Sequence, residues 1–390
     1  MNITVARTIA EVDSIAEQWD AMSVTSPHAA RALFTLVLRA SRDDVRPHVL
    51  MIRDGVRPPI LVVGRVERRP VPVRVGYRTV LSMTATRLVV VPGGVIGAES
   101  RSDYELVMRS LLDTLRRHKL DALELSKIEL GGPLYEAALR HLPWYRRAHA
   151  SSPLKRHRSD LSGGFAAFLA ARSKGTRWRL RRRLRKLDEV TGGGGKLSVH
   201  RIGPGDDAAT GLRMLEAVAG KSYQRGIGVG FIDDELHRAL MTWATDGGAY
   251  RVWLLLVDDV PVAYVNGVLH GRTFFLFETA FDQSLAADEP GAILLTRVLE
   301  ELAADPEVDG FDYGFGDAQY KQSLSDVCWD EVDMVGFALR PRPLALSLTT
   351  SSAAFAVVAA KRLLGGERVA KLRRRRRAEL TAPARGRDGD

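Results

Sequence analysis

The sequence predicts a mixed α/β fold, made of two related modules in tandem. Three observations predict it. The chain has 390 residues, room for two or three domains at about 150 residues each. In the second half, three apolar segments follow one another across short polar turns. A helix-then-strand order at residues 102–126 recurs at 290–315. Each module would then be a mixed, mainly antiparallel sheet flanked by helices. Hydrophobic residues make up 45% of the chain and charged residues 27%, which excludes a wholly disordered chain.

In the first half, residues 11–22 and 29–40 read as helices. Residues 49–52 and 60–66 read as strands around the Asp54-Gly55 turn and the Pro58-Pro59 breaker. Residues 80–83 and 88–91 are short apolar strands, and Pro92-Gly93-Gly94 is expected to stop the chain. Residues 102–118 carry Leu106, Leu111, Leu112 and Leu115 near helical spacing, and 121–126 alternate as a strand. Residues 150–163 read as a polar connection. The expected domains are therefore 1–150, 151–342 and a basic helical or disordered tail at 343–390.

The second half opens with a long helix at 165–190, ended by the four glycines 192–195. Residues 196–202 are a strand. Residues 206–223 and 233–245 are helices with an aspartate near each start as a cap. Residues 250–257, 260–269 and 273–281 form a meander turned at Asp258-Asp259 and Gly271-Arg272. A helix follows at 290–304, then strands at 309–314 and 332–339.

Charge is local. Nine basic and no acidic residues lie between Arg172 and Lys186, and nine basic with only Glu367 between Lys361 and Arg377, against 57 basic and 47 acidic residues in all. These are two patches, not a general nucleic-acid surface. The helix at 172–186 can be a solvated face, a grip on an anionic substrate or coenzyme phosphate through Arg177 and Arg181, or a tRNA contact. The one cysteine, Cys328, excludes an intramolecular disulfide and a Cys-based metal site and fits a reducing compartment. The first residues lack the pattern of a secretory signal. No apolar run matches a membrane span, and the Ala-rich stretch 344–360 reads as a marginal helix. The expected location is the cytoplasm. With its basic tail the chain can also touch anionic membrane peripherally. No Gly-x-Ser-x-Gly elbow, His-Glu-x-x-His or Walker loop is present, and no metal is expected.

A meander, a helix and one more strand, followed by Asp309-Gly-Phe-Asp-Tyr-Gly-Phe-Gly-Asp-Ala-Gln-Tyr320-Lys321, resembles the GNAT acetyltransferases. The string is similar to the strand-then-Tyr-Lys signature of the CelD-like branch, found in polysaccharide and cellulose biosynthesis loci and related to FemAB-type transferases. Pro290-Gly291-Ala292-Ile293-Leu294 resembles that branch's helix start. The resemblance covers about residues 151–340. It departs from the pattern after Lys321, where an aromatic residue is usual, and in the phosphate loop, of which only Gly291-Ala292 remain. The resemblance implies tandem GNAT-like modules and acetyl-CoA or another acyl-CoA as co-substrate. It implies direct acyl transfer to an amine or hydroxyl of an amino sugar or polysaccharide precursor, a small-molecule or glycan acceptor. Thr279, Ala280, Phe281 and Pro290, Gly291, Ala292, Ile293 would hold the coenzyme, with its pyrophosphate at the helix N-terminus. Glu278, in an aromatic strand, is a candidate general base or a solvent-facing carboxylate. Asp312 is a second candidate base or a structural carboxylate. Tyr320 would protonate the leaving thiolate. Lys321 with Asp317 would bind substrate, or Lys321 is a surface lysine. The FemAB likeness implies an alternative, aminoacyl-tRNA as donor. A non-catalytic binding protein of the same fold is the third reading.

Overall fold

Two capping boxes start helices where the sequence provides a hydroxyl and an acid three residues on. Thr8 and Glu11 cap α1 (Ile9–Ser14), and Ser100 and Asp103 cap α4 (Arg101–Arg117). The computed structural model describes residues 2–349, apart from 42–43, 54, 56–57, 76–77, 150–151, 193–196 and 227–229. Most of the Ala-rich stretch and all of the basic tail lie outside the described residues. Residues 341–349 are helical.

Along the first half run β1 (Asn2–Ala6), α1, α2 (Ala16–Asp20), α3 (Arg31–Arg39), β2 (Val45–Pro47), β3 (Val49–Arg53), β4 (Ile60–Val75), β5 (Arg78–Ile96), α4, β6 (Ala122–Glu129), α5 (Pro133–His141) and β7 (Leu154–Asp160). Then come α6 (Gly164–Ala170), α7 (Lys174–Gly192), β8 (Leu197–Ile202), α8 (Ala208–Ala219), α9 (Tyr223–Gly226), α10 (Glu235–Thr245), β9 (Tyr250–Val257), β10 (Val260–His270), β11 (Thr273–Phe281), α11 (Pro290–Ala304), β12 (Gly310–Phe315), α12 (Gln319–Leu324) and β13 (Val327–Phe337). The fold is mixed α/β, as expected. The order strand, helices, three-strand meander, helix, strand occurs twice, from β1 to β6 and from β8 to β12. The Asp258-Asp259 turn is the mirror-image hairpin type, both residues having positive φ (50° and 62°). Asp207 and Asp234 cap α8 and α10 through the amides of Thr210 and His237.

Contacts do not follow the sequential boundary at residue 150. Of the described residues, one unit comprises 2–163, 268–275 and 306–349, and the other 164–267 and 276–305. In the first unit the strands run β1-β3-β4-β5-β6-β13-β7-β12, with β2 beside β4 and residues 273–275 of β11 beside β12. The last strand among the described residues, β13, thus joins the first repeat's β6, and β7 joins the second repeat's β12. One core packs α4 and α5 on this sheet through Val107, Leu111, Leu115 and Ala138. A second packs α1–α3 through Val12, Trp19 and Phe34. In the second unit the order is β8-β9-β10-β11. Leu294, Val298 and Leu299 of α11 and Leu215 and Val218 of α8 are fully buried.

Four expectations need correction. Pro92-Gly93-Gly94 does not end a strand. β5 is one strand, and its pairing with β4 shifts between Val62·Val95 and Gly64·Val90, so the extra residues bulge out. Residues 150–163 are not merely a connection, because β7 lies between β12 and β13. The helix at 165–190 is two helices, broken where the Ser173 hydroxyl accepts the Thr176 amide. The segment after Asp317 contains α12, and α5 had no counterpart among the expected elements. The bulge makes a testable point at Gly94. A Cβ there would sit 2.6 Å from the Val63 carbonyl and 2.8 Å from that of Val91, both backbone atoms of the sheet. Gly94→Ala is expected to cost about 1–3 kcal/mol, read by chemical denaturation.

Candidate active site

The expected site residues fall in both units. Glu278, Thr279, Ala280, Phe281, Pro290–Ile293, Arg177 and Arg181 lie in the second; Asp312, Asp317, Tyr320 and Lys321 lie in the first.

In the second unit, Glu278 is on β11, half-buried. Its amide donates to Asn266 Oδ1 at 3.0 Å, and Asn266 Nδ2 donates to its Oε2 at 3.4 Å. His237 on α10 approaches its other oxygen, Nε2 to Oε1 3.7 Å, while Nδ1 of the same ring is 2.7 Å from Asp234 Oδ1. Asp234, His237 and Glu278 therefore form a chain of acid, imidazole and acid. Burial by itself would lower the His237 pKa; the carboxylates of Glu278 and Asp234, which accept from the ring, outweigh it and raise it. The phenols of Tyr250 and Tyr264 are buried beside this chain. Burial first, and then the Glu278 charge, raises both. A half-buried carboxylate pinned by an amide and an imidazole can accept a proton from an incoming amine or hydroxyl.

β11 leads, through a 3-10 helix at Gln283–Asp288, to α11. Pro290 is at the first helical position, and no side chain caps the helix. The residue before it, Glu289, is left-handed (φ 58°), and its carboxylate turns to α7 instead. It accepts from Arg182 at 2.8 Å and Arg183 at 2.7 Å, and Lys186 reaches Asp288 at 3.2 Å. Pro290 has no N–H and the amides of Ala292 and Ile293 donate to the Glu289 carbonyl (3.0 and 2.9 Å), which leaves the Gly291 amide and the positive end of the helix for an anion, with two guanidiniums beside the cap. Gly291 has a packing reason as well, since a Cβ would sit 3.0 Å from Phe281. Of the two arginines picked from the sequence, Arg177 closes α6 by donating to the carbonyls of Arg172 (2.7 Å) and Ala170 (3.3 Å), and Arg181 is exposed. Arg182 and Arg183 take the position expected for them.

In the first unit, Asp312 is 1% exposed and structural in its bonding. Arg156 Nε donates to it at 2.8 Å and the Gly314 amide at 2.9 Å. Arg156 also reaches Glu331 at 3.3 Å, and Trp329 Nε1 donates to Glu331 at 2.8 Å. The Arg156 guanidinium lies over Phe315 (5.0 Å) and Phe275 (5.7 Å). Tyr320 is half-buried on α12, edge-on to Tyr313. Asp317 is exposed and accepts from Gln322 at 2.6 Å. Lys321 is 7% exposed, and its Nζ donates to the Phe315 carbonyl at 2.7 Å, tying α12 to β12. Its pKa falls from 10.5 to about 8, chiefly because burial disfavours the ammonium. Between these values the unfolded chain binds one more proton than the folded one, so stability rises with pH across that window. Lys321→Met is expected to lose this rise, read by denaturant melts of both proteins at about pH 7.5 and 10.

His237, Asp234, Asn266, Arg156 and Glu331 were not picked from the sequence. They stand on other elements than the strands that drew attention, and only Asp234, as a helix cap, left a local signal. Among the described residues no group of His, Cys, Asp or Glu is arranged to hold a metal, and no helix is long and apolar enough to cross a membrane.

Residues 174–322 match the family model described as an acetyltransferase (GNAT) domain. No curated protein matches the sequence. Among solved structures, FemX is similar with a TM-score of 0.57 at 10% identity, over 90% of this chain and 100% of that one. A conserved protein of unknown function from Bacteroides thetaiotaomicron gives 0.53 at 14% identity, over 86% and 100%. The C-terminal domain of a putative lysylphosphatidylglycerol synthetase from Agrobacterium fabrum gives 0.50 at 13% identity, over 87% and 96%. At these identities the likeness is one of fold.

Proposed function

We propose that this chain is an acyl-CoA-dependent acyltransferase whose donor site is the N-terminus of α11 and whose general base is Glu278. The observation that carries it is the start of α11, which no side chain caps, one 3-10 segment (Gln283–Asp288) after the strand bearing Glu278. The residues there fit the coenzyme. The Gly291 amide and the partial positive charge of the helix start suit a pyrophosphate, and Arg182 and Arg183 stand ready to exchange Glu289 for phosphate oxygens. When bound, the coenzyme supplies a thioester carbonyl as the electrophile. Glu278 takes the proton of the acceptor amine or hydroxyl. Asn266 holds one carboxylate oxygen, and His237, held by Asp234, faces the other. No covalent enzyme intermediate is required.

On the likeness of Tyr320-Lys321 and its strand to the CelD-like branch, the acceptor is an amino sugar or polysaccharide precursor met on the cytoplasmic side. The tail at 361–377 would give peripheral contact with anionic membrane. A second reading, transfer from aminoacyl-tRNA, is favoured by α7. Trp178 is 56% exposed there with Arg182 over its ring at 5.3 Å, a surface suited to nucleic acid.

Thermal unfolding with acetyl-CoA and, separately, with tRNA tests the donor. A ligand at 100 times its Kd adds about 2.7 kcal/mol, a clear rise in Tm. A rise with acetyl-CoA is expected. A rise with tRNA alone would replace the coenzyme reading, and a rise with neither would overturn both.

A further inference from the structure

The two repeats differ at the places where donor chemistry would sit. The parallel pairing of β11 with β12 ends at Phe275·Asp312, and that of β5 with β6 at Val90·Leu125. Three residues beyond the last pair, β11 carries Glu278 and β5 carries Gly93. The helix that follows differs too: α11 is uncapped, whereas α4 is closed by the Ser100–Asp103 box, whose carboxylate accepts the Ser100 amide at 2.8 Å. An anion at α4 would meet Asp103. The first repeat therefore has neither a base nor an open helix end at its donor position. It nevertheless retains a cleft of about 410 Å³ between β5 and the end of β6, floored by Gly93 and Gly94 and walled by Phe275 and Trp329.

We propose that this cleft of the first unit binds a small ligand through an oxyanion, a phosphate or a carboxylate, held by Arg158 and the N-terminus of α5. Arg158 lines the cleft with its side chain 39% exposed. Its neighbour Arg156 is paired with Asp312 and Glu331. Arg158 has only a 3.9 Å approach to Asp312, and its buried Nε has no hydrogen-bond partner. Its guanidinium lies over Phe275 at 5.8 Å, which holds the fork in place before a ligand arrives. The helix end is the second element. α5 has nine residues and Gly132 at its cap, so no side chain satisfies its first amides, and Gly132, Pro133 and Leu134 line the cleft. A third observation is independent of both. Ser26, 7% exposed, lines the same cleft with a buried hydroxyl that has no partner. Buried polar atoms are rarely left so. On the acyltransferase reading, on which this assignment of role rests, the ligand is the acceptor, and its anionic group is bound here.

The test uses the full chain and two probes, inorganic phosphate and acetate, with thermal shift titrated to a Kd. Phosphate or acetate, or both, should stabilise the wild type, and the stronger of the two names the oxyanion. Arg158→Gln should weaken that binding at least tenfold. Gly132→Asp supplies a capping carboxylate to α5. It should weaken anion binding similarly, and because any Cβ there would sit 3.2 Å from the Glu129 Cβ and carbonyl, the effect is read against a serine with the same Cβ. Gly132→Ser is the uncharged control. The double variant Arg182→Gln/Arg183→Gln should bind the probe as the wild type does. The proposal is overturned if neither probe binds, if Arg158→Gln and Gly132→Asp bind normally, or if only the α7 double variant loses binding. An acetyl-CoA shift retained in Arg158→Gln keeps the donor site separate. Loss of that shift in every protein, with probe binding intact, would sink the transferase reading and leave the anion site standing.

Discussion

The Arg156→Met protein is expected to be less stable than the wild type by about 3–5 kcal/mol, the usual cost of removing one partner of a buried ion pair. Arg156 has its side chain 10% exposed, Asp312 1% and Glu331 7%. Methionine would match much of the packing over Phe275 and Phe315 but would leave two buried carboxylates without their counter-charge. Glu331 is already raised by burial, with Arg156 opposing that shift. Once the guanidinium is gone, the folded state of the variant binds protons more tightly than the unfolded state. Its stability should then recover as pH falls. Urea melts at neutral pH and at about pH 5 check this. A loss independent of pH would mean that packing, not charge, is the cause. Arg156→Lys should fall between, because an ammonium cannot bridge both acids as the guanidinium fork does.

Glu278→Gln should lower kcat by about 10²–10⁴-fold, the usual contribution of a positioned general base, with acetyl-CoA binding unchanged. Glutamine keeps the shape and can still meet Asn266, so the Tm should move little. The same variant has a second, spectroscopic consequence. His237 is raised in part by Glu278, so its imidazole should titrate lower in Glu278→Gln, measured by NMR. Unchanged turnover with a lowered His237 pKa would show that the acid–imidazole chain is real but that Glu278 is not the base.

Much of the fold was legible because local rules and tertiary packing agree. The meander from β9 to β11 reads from alternation and from Asp258-Asp259, which tolerates the left-handed turn. α4 reads from its leucine spacing and α11 from Pro290. Where the sequence misled, a polar residue occupied a buried position. β7 is Leu-Lys-Arg-His-Arg-Ser-Asp, without an apolar face, and so read as a connection. It is held in the sheet by ion pairs and hydrogen bonds to residues more than 150 positions away, Asp312, Glu331 and Tyr313. β5 read as two short strands because residues 84–87 separate its apolar runs, and as ended at Pro92-Gly93-Gly94 because such a tripeptide commonly ends a strand; only the facing β4 shows that the residues bulge instead.

By itself the sequence determined the repeated α/β order, the strand bearing Glu278 and the helix opening at Pro290, since each depends on neighbours a few residues apart. Tertiary structure decided which charges are paired and which are left open. Arg182 and Arg183, not Arg177 and Arg181, meet the start of α11. Arg156 is consumed by two acids while Arg158 is not. His237 on α10 reaches Glu278 on β11. Those outcomes depend on burial and distance between residues far apart in the chain, and neither periodicity nor composition carries that information.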